Sequence, residues 1–518
     1  MSTSAIIAIP MLILFFALMI GVGLYCRKHA TNVDSFVLGG RSVGPWLTAF
    51  AFGTSYFSAV IFVGYAGQFG WNFGVASTWI GLGNAFIGSL LAWIVLGRRT
   101  RVMTQHLASK TMPDFFAKRY DSNGLKIAAS IIVFIFLIPY TASLYNGLSS
   151  LFNNVFQLPY WAVVVMMAAL TGLYVIFGGY MATAINDFIQ GIIMLVGIIA
   201  VIAAVLSNNG GFMQAIENIA TSTPDGWKYT SFLGPQPVFL LFVVLLTSLG
   251  TWGLPQMVGK FYSIKDEDSI KKGTVISTVF AIIVAGGCYF LGGFGRLYFT
   301  PETLPGYDRI IPTMMSSLAP FIVALIVVLV LAASMSTLSS LVLTSSSTLA
   351  LDVIKPMRKK EQDEKSTLLT MRWLIVFFIA VSAVIAILKD SIWADSVFIA
   401  QMMGVSWGAL AGAFLAPFLY GLYWKKTTRA AVAASFLFGT GLEIIQLCIS
   451  VGWIKLSGGI LGFVFTNSLY SGVFAMVGGL ILVPIVSLLT QKTKPADVDA
   501  MFSCYDKEIV TDVTDSLG

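Results

Sequence analysis

Charge is what this chain has least of. Asp, Glu, Lys and Arg make up 11% of its 518 residues, against 57% hydrophobic ones, where a soluble domain carries about 25% charge. That excludes a soluble enzyme or a nucleic-acid-binding domain as the whole protein. Histidine is nearly absent: His29 and His106 fall in polar connecting segments and read as ordinary loop residues. The four cysteines, Cys26, Cys288, Cys448 and Cys504, are scattered, and without a CxxC or Cys/His cluster they indicate neither zinc, haem nor a disulfide framework. No DDxxD, HExxH, GxSxG or paired-aspartate motif stands in a plausible context. This argues against a membrane-embedded transferase or protease, so no enzyme is expected. No connection is long enough to hold a soluble catalytic or output domain, which weakens a reading as a solute sensor without coupled transport.

What the chain has is apolar runs of about 20 residues, the length that crosses a bilayer, and a mean hydropathy of +0.85. The fold class expected is an all-α polytopic membrane protein. Its thirteen predicted spans lie near 4–26, 46–70, 74–97, 127–153, 159–178, 185–206, 234–257, 273–294, 316–350, 371–388, 393–424, 430–453 and 464–490. The first run lacks a basic leader and a small-residue cleavage site and is expected to be a retained span. With the N-terminus outside and the C-terminus inside, 26 of the 31 basic residues fall on the inner side, as the positive-inside rule requires. The net charge of +7 then reflects topology and anionic headgroups, so membrane lipid is a partner and nucleic acid is not. Residues 1–490 form the expected transporter domain, with a core at 46–206 and 234–424 and peripheral helices at 4–26, 430–453 and 464–490. Residues 491–518 are expected to be a disordered cytosolic tail.

Two spans are interrupted. The second reads "AFAFGTSYFSAVIFVGYAGQFG" and the seventh "FVVLLTSLGTWGLPQMVG", both glycine-rich, the seventh with Pro255 as well. They stand five spans apart, and matched breaks in two halves point to an inverted-repeat transporter. The alternative is that the glycines only permit close helix packing. The ninth span carries nine hydroxyls in "LAASMSTLSSLVLTSSS", residues 331–347, among them Ser334, Ser336, Thr337, Ser339, Ser340, Thr344, Ser345 and Ser346. As helix–helix glue, hydroxyls contribute about 0.6 kcal/mol each in a bilayer. Ser336 and Ser340 share a face, with Thr337 beside them. Neutral oxygens suit a hard cation that must also be released, so ligation of Na⁺ is the preferred reading. A proton as coupling ion is the alternative. Asp187, near the inner end of a span, is a functional candidate by position or a helix-terminal aspartate favoured by the dipole. Glu443, in "GTGLEIIQLC", lies outside the repeat core and suggests an inter-helix hydrogen bond or an oligomer contact. The oligomeric state is left open, a monomer included.

Four stretches carry a resemblance: "FVLGGRSVGPWLTAFAFGTSYFSA" (36–59), "GGYMATAINDFIQG" (178–191), "LAASMSTLSS" (331–340) and "GLYWKKTTRAAVAASFLFG" (421–439). With them the chain resembles, over nearly its whole length, the sodium/solute symporters, which include bacterial proline, pantothenate and sialic acid carriers. "RAA" at 429–431 departs from the usual Gly-Ala pair, which bears on packing. The resemblance implies a five-plus-five inverted repeat of the leucine-transporter type and sodium-driven import of a small organic solute across the plasma membrane, the inner membrane in a bacterium. It implies sodium ligands at the carbonyls of Thr54, Phe57 and Ala333 and the hydroxyls of Ser336 and Thr337. It also implies a second sodium site at Ser339, Ser340 and Asp187, on the premise that no Lys or Arg pairs with Asp187. Position beside the breaks nominates Tyr56, Ser58, Tyr140, Trp252 and Gln256 for the solute. Tyr140 resembles the tyrosine of proline carriers, whereas the seventh span looks more like pantothenate carriers. Apart from Arg372, at the very start of the tenth span, no arginine lies within a predicted span, which argues against a sialic acid carrier.

Overall fold

A computed structural model describes residues 2–28, 30–304, 306–358, 363–392, 399–456, 458–506 and 509. His29, the start of the expected 393–424 span and most of the last twelve residues lie outside the described residues. Among the described residues the chain is helical, with one isolated backbone bridge, Val43 to Ile264, in place of any sheet. The long helices are α1 (Thr3–Cys26), α2 (Pro45–Tyr56), α3 (Val60–His106), α4 (Asn123–Phe156) and α5 (Tyr160–Asn208). They continue as α6 (Pro237–Gly253), α7 (Pro255–Tyr262), α8 (Glu267–Leu297) and α9 (Pro320–Met357). The last four are α10 (Glu364–Ile392), α11 (Ile399–Tyr423), α12 (Arg429–Ser450) and α13 (Ser468–Leu489).

Ten described helices are long and apolar enough to cross a membrane, or eleven when α6 and α7, bent by 46°, count as one span. The expected count of thirteen differs for a geometric reason. Straight, the 49 residues of α5 would reach about 74 Å, more than twice a hydrocarbon core of about 30 Å. The helix instead turns at Gly179 (φ 55, ψ −146), and α3 turns at Gly74 (φ 63, ψ −140). Both conformations are open in practice only to glycine. A Cβ on Gly179 would also stand 2.8 Å from the ring and the carbonyl oxygen of Phe36.

The most enclosed elements are α9 and α11. α9 runs through the middle, packed on α5, α1, α4, α10 and α2, while α11, α12 and α13 form a second packed group. The start of α2 and the end of α7 are stitched together: Val43 N–H donates to Ser263 O (3.1 Å) and Lys265 N–H to Val43 O (3.0 Å). Arg41 fastens the same corner, donating to the carbonyls of Tyr262, Thr104 and Ser109. Nearby, Lys126 bridges Asp114 (2.8 Å) and Asp352 (3.3 Å). Burial would raise the Asp114 carboxyl, but Lys126 and Lys118 hold it below its ordinary value.

Residues 498–506 differ from the expected disordered tail. They form short turns whose Tyr505 hydroxyl donates to Leu422 O (2.9 Å) and whose Cys504 is buried. Arg98 and Arg99, which hydropathy alone reads as topology signals, bind Tyr505 through its carbonyl and its ring.

Gly179→Ala is expected to cost about 2–4 kcal/mol, from left-handed strain and the overlap with Phe36. Size-exclusion profiles of heated, detergent-purified protein should show a clearly lower melting midpoint. A wild-type midpoint would contradict the turn.

Candidate functional site

The two interrupted spans are broken, and in the same way. Helix α2 ends at Phe57 (φ −84, ψ 121), and the helix resumes at Ala59. Helix α6 gives way to α7 at Leu254, with φ −84 and ψ 119. Pro255 explains the second break, since proline disfavours a helical residue before it. Each break strands backbone groups where no water reaches, and such groups must find internal partners.

At the first break α9 supplies them. The Ser334 hydroxyl accepts from Ala59 N–H (3.1 Å). Ser336 Oγ donates to Thr54 O (3.1 Å) or to Ala333 O (2.9 Å). Thr337 Oγ1 stands 3.2 Å from Thr54 O, 3.1 Å from Phe57 O and 3.2 Å from Ala333 O. The three carbonyls and two hydroxyls nominated for sodium thus converge on one point. Thr54, Ser336, Thr337 and Ala333 are wholly buried and Phe57 nearly so. Thr54 Oγ1, at the rim of this group, is buried without a hydrogen-bond partner among the described residues. The donor set is hard, neutral oxygen, which fits an alkali cation and not a transition metal. Among the described residues no cluster of His, Cys, Asp or Glu suits a metal. Ser346 turns back on its own helix at Val342 O. The hydroxyls of α9 thus serve different ends: Ser334, Ser336 and Thr337 meet the break, Ser340 meets Ser55 and Lys260, and Ser346 and Ser347 bond back to their own helix.

The nominated second site is assembled differently. Ser339 donates to Ser336 O on its own helix (2.9 Å). Ser340 Oγ lies 2.7 Å from Ser55 Oγ and accepts from Lys260 Nζ at 3.1 Å. Lys260 Nζ also stands 3.5 Å from Asp187 Oδ2, both side chains being buried. The premise that Asp187 has no basic partner is therefore corrected. Hydropathy ends the seventh span at 257 and leaves Lys260 in an inner loop, whereas the kink at Leu254 carries α7 back into the protein with Lys260 pointing inward.

Of the residues nominated for the solute, Tyr56 lines a cavity, with Phe57 of the sodium set beside it, whose free volume is about 20 Å³. Asn84, Ser89, Thr251 and Ser277 complete its largely apolar wall. That is room for about one water molecule, well below the roughly 300–1,000 Å³ of small-molecule sites, so the space beside Tyr56 is closed to a solute in this conformation. The hydroxyls of Tyr56, Ser58 and Tyr140 and the indole N–H of Trp407 are buried and make no well-formed hydrogen bond among the described residues; Tyr140 faces Ser58 and Trp407, and Tyr56 faces Tyr289. Trp407 sits between Tyr56 and Tyr140, its ring 5.6 Å and 5.9 Å from theirs. Sequence reasoning passed it over, although "GVSWGAL" sets a tryptophan among small residues in a span. The other two nominees lie elsewhere. Trp252 spends its N–H on Ile87 O (3.0 Å), a packing bond. Gln256 lines a separate cavity of about 490 Å³ beside Lys260, and its amide has no partner among the described residues. Glu443 is fully buried beside Gly408, which does not fit the suggested oligomer contact; the Ser471 hydroxyl of α13 faces its carboxyl, as the suggested inter-helix hydrogen bond requires.

The family model for the sodium:solute symporter family matches residues 36–439. The chain is 30% identical over 459 residues to sodium/proline symporter 2 of Staphylococcus saprophyticus, covering 86% of each chain. It is 29% identical to the sodium/proline symporter of Staphylococcus aureus, covering 93% of this chain and 92% of that one. Its fold matches a Na⁺-coupled sialic acid symporter in a substrate-bound outward-open state, at TM-score 0.76 and 16% identity, over 94% and 98% of the two chains. It also matches Mhp1, a nucleobase-cation-symport-1 family transporter, at TM-score 0.52 and 13% identity, over 90% and 98%.

Ser336→Ala and Thr337→Ala each remove one neutral oxygen from the converging set, worth about 1–2 kcal/mol. Half-saturating sodium in uptake assays should rise about tenfold in each. Unchanged sodium dependence in both would count against the site.

Proposed function

The chain belongs to the sodium:solute symporter family, and from that premise we propose which ion site and which class of solute it uses. It is a multi-pass membrane transporter that couples solute movement to sodium, and it is not an enzyme. In the proposed reading it crosses the plasma membrane thirteen times, N-terminus outside, in two inverted five-helix repeats. Sodium is held by the carbonyls of Thr54, Phe57 and Ala333 and the hydroxyls of Ser336 and Thr337. The observation that carries this is the convergence of those five oxygens at 2.9–3.2 Å across the first break.

The solute proposed is small and amino-acid-like, proline being the first candidate. The sodium/proline symporters that the chain resembles support this choice. So do the clustered polar atoms of Tyr56, Ser58, Tyr140 and Trp407 beside the first break, to which a polar solute could bond once the site opens. Sodium bound across α2 and α9 fixes the segment that bears Tyr56 and Ser58. Ion binding would thereby order the solute site, and solute binding would favour the ion, as reciprocal coupling demands.

Proteoliposome counterflow with labelled proline, pantothenate and other small solutes, with and without sodium, tests the solute. Sodium-dependent exchange of proline is expected. Exchange of pantothenate and not proline would overturn the substrate while leaving the coupling intact. For topology, a cysteine at position 3 should label from outside intact cells and one at position 515 only after permeabilisation. The reverse would refute the orientation.

A further inference from the structure

The buried contact between Lys260 and Asp187 performs a task that the sodium site leaves open. Asp187 is wholly buried, and its carboxylate oxygens have no hydrogen-bond partner among the described residues. The group that faces it is the Lys260 ammonium, 3.5 Å away, which also donates to Ser340 and lies 5.2 Å over the Tyr180 ring. A charge-assisted pair built for stability closes to about 2.7–2.9 Å. This one is held open, and a buried pair is in any case weak support for a fold. Ser340 ties the ammonium to Ser55 on α2, three residues before the break at Ser58. One short chain of contacts therefore joins α5, α7, α9 and α2.

The charges around this point allow one cation. With the ammonium in place, the charge of Asp187 is already balanced and the oxygens of Asp187 and Ser340 that a second sodium would use are already occupied by a cation. With the ammonium removed, a bare carboxylate next to the Ser340 hydroxyl is a cation site. We propose that Lys260 is a tethered cation that takes the place of a second coupling sodium, so that this carrier moves a single sodium ion with each solute. This rests on the sodium site proposed above.

The arrangement also gives the lysine a part in the transport cycle. Lys260 lies on α7, beyond the break at Leu254, so its distance from Asp187 depends on the bend between α6 and α7. The cavity of about 490 Å³ beside it is lined by Gln256, Lys260 and Ser340, and by Lys110 and Thr344. Hydroxyls of the lower half of α9 thus face the space beside the ammonium. A mobile ion would leave through that space; the tethered one stays, and its charge returns with the empty carrier.

The test counts sodium ions. Purified full-length protein in detergent is titrated with ²²Na⁺ alone, and binding per chain is read at saturation. Wild type is expected to bind one ion, Lys260→Ala two, and the double variant Asp187→Asn with Lys260→Ala one again. In proteoliposomes the wild-type sodium Hill coefficient should be one, with one charge moved per zwitterionic solute. Two ions bound by wild type would overturn the proposal even if no variant folds. One ion bound by Lys260→Ala protein with a wild-type elution profile would overturn it too. No saturable sodium binding by wild type would instead refute the sodium site on which the proposal rests.

Discussion

Everything distinctive in this protein depends on one constraint: a backbone broken inside a membrane must have its hydrogen bonds satisfied by protein. At Phe57 and Ser58 the chain leaves the helical path among wholly buried neighbours. The partners come from a single helix, α9, through Ser334, Ser336 and Thr337. An apolar α9 would leave Ala59 N–H and the carbonyls of Thr54 and Phe57 stranded, at a cost of several kcal/mol. The same hydroxyls that satisfy the break are the oxygens proposed for sodium. Structural repair and ion binding are thus one arrangement, in which a cation would replace donated protons at the carbonyls it shares with Ser336 and Thr337.

The matched break at Leu254 serves a different end. Its dihedrals repeat those of Phe57 within a few degrees, yet among the described residues no hydroxyl from another helix bonds its backbone as α9 does at the first break. The kink aims α7 inward and puts Lys260 against Asp187. Two equivalent breaks therefore present opposite solutions to charge in the core: neutral oxygens awaiting an ion at one, a charge carried on the chain near the other. The bridge from Val43 to Ile264 and the Arg41 contacts join the start of one broken span to the end of the other, so that movement of one is felt by the other.

Much of this was legible in the residues, because hydropathy, breaks and hydroxyl spacing are local signals. Where they are described, the apolar runs fall on helices, both interruptions are breaks, and the five nominated oxygens meet. What was not legible depended on direction. No hydropathy window shows that α3 and α5 turn at Gly74 and Gly179, because both are written as continuous apolar chain. Lys260 read as a loop residue, since a lysine after "LPQMVG" marks the end of a span unless the kink is known. Trp252 and Trp407 look equally promising in sequence, but one N–H is spent on Ile87 O and the other makes no well-formed hydrogen bond among the described residues. The helical turns at 498–506 are held by Arg98 and Arg99, residues distant in sequence.

Cryo-electron microscopy of the protein in sodium and in choline is the most direct test of the central claim. In sodium, density should appear between Thr54, Phe57, Ala333, Ser336 and Thr337, with oxygens drawn to about 2.4 Å, the contact length of a hard cation of calcium's size. In choline that density should vanish while the hydroxyls keep their carbonyl partners. Sodium density at Asp187 and none at the break, or identical maps in both salts, would contradict the account.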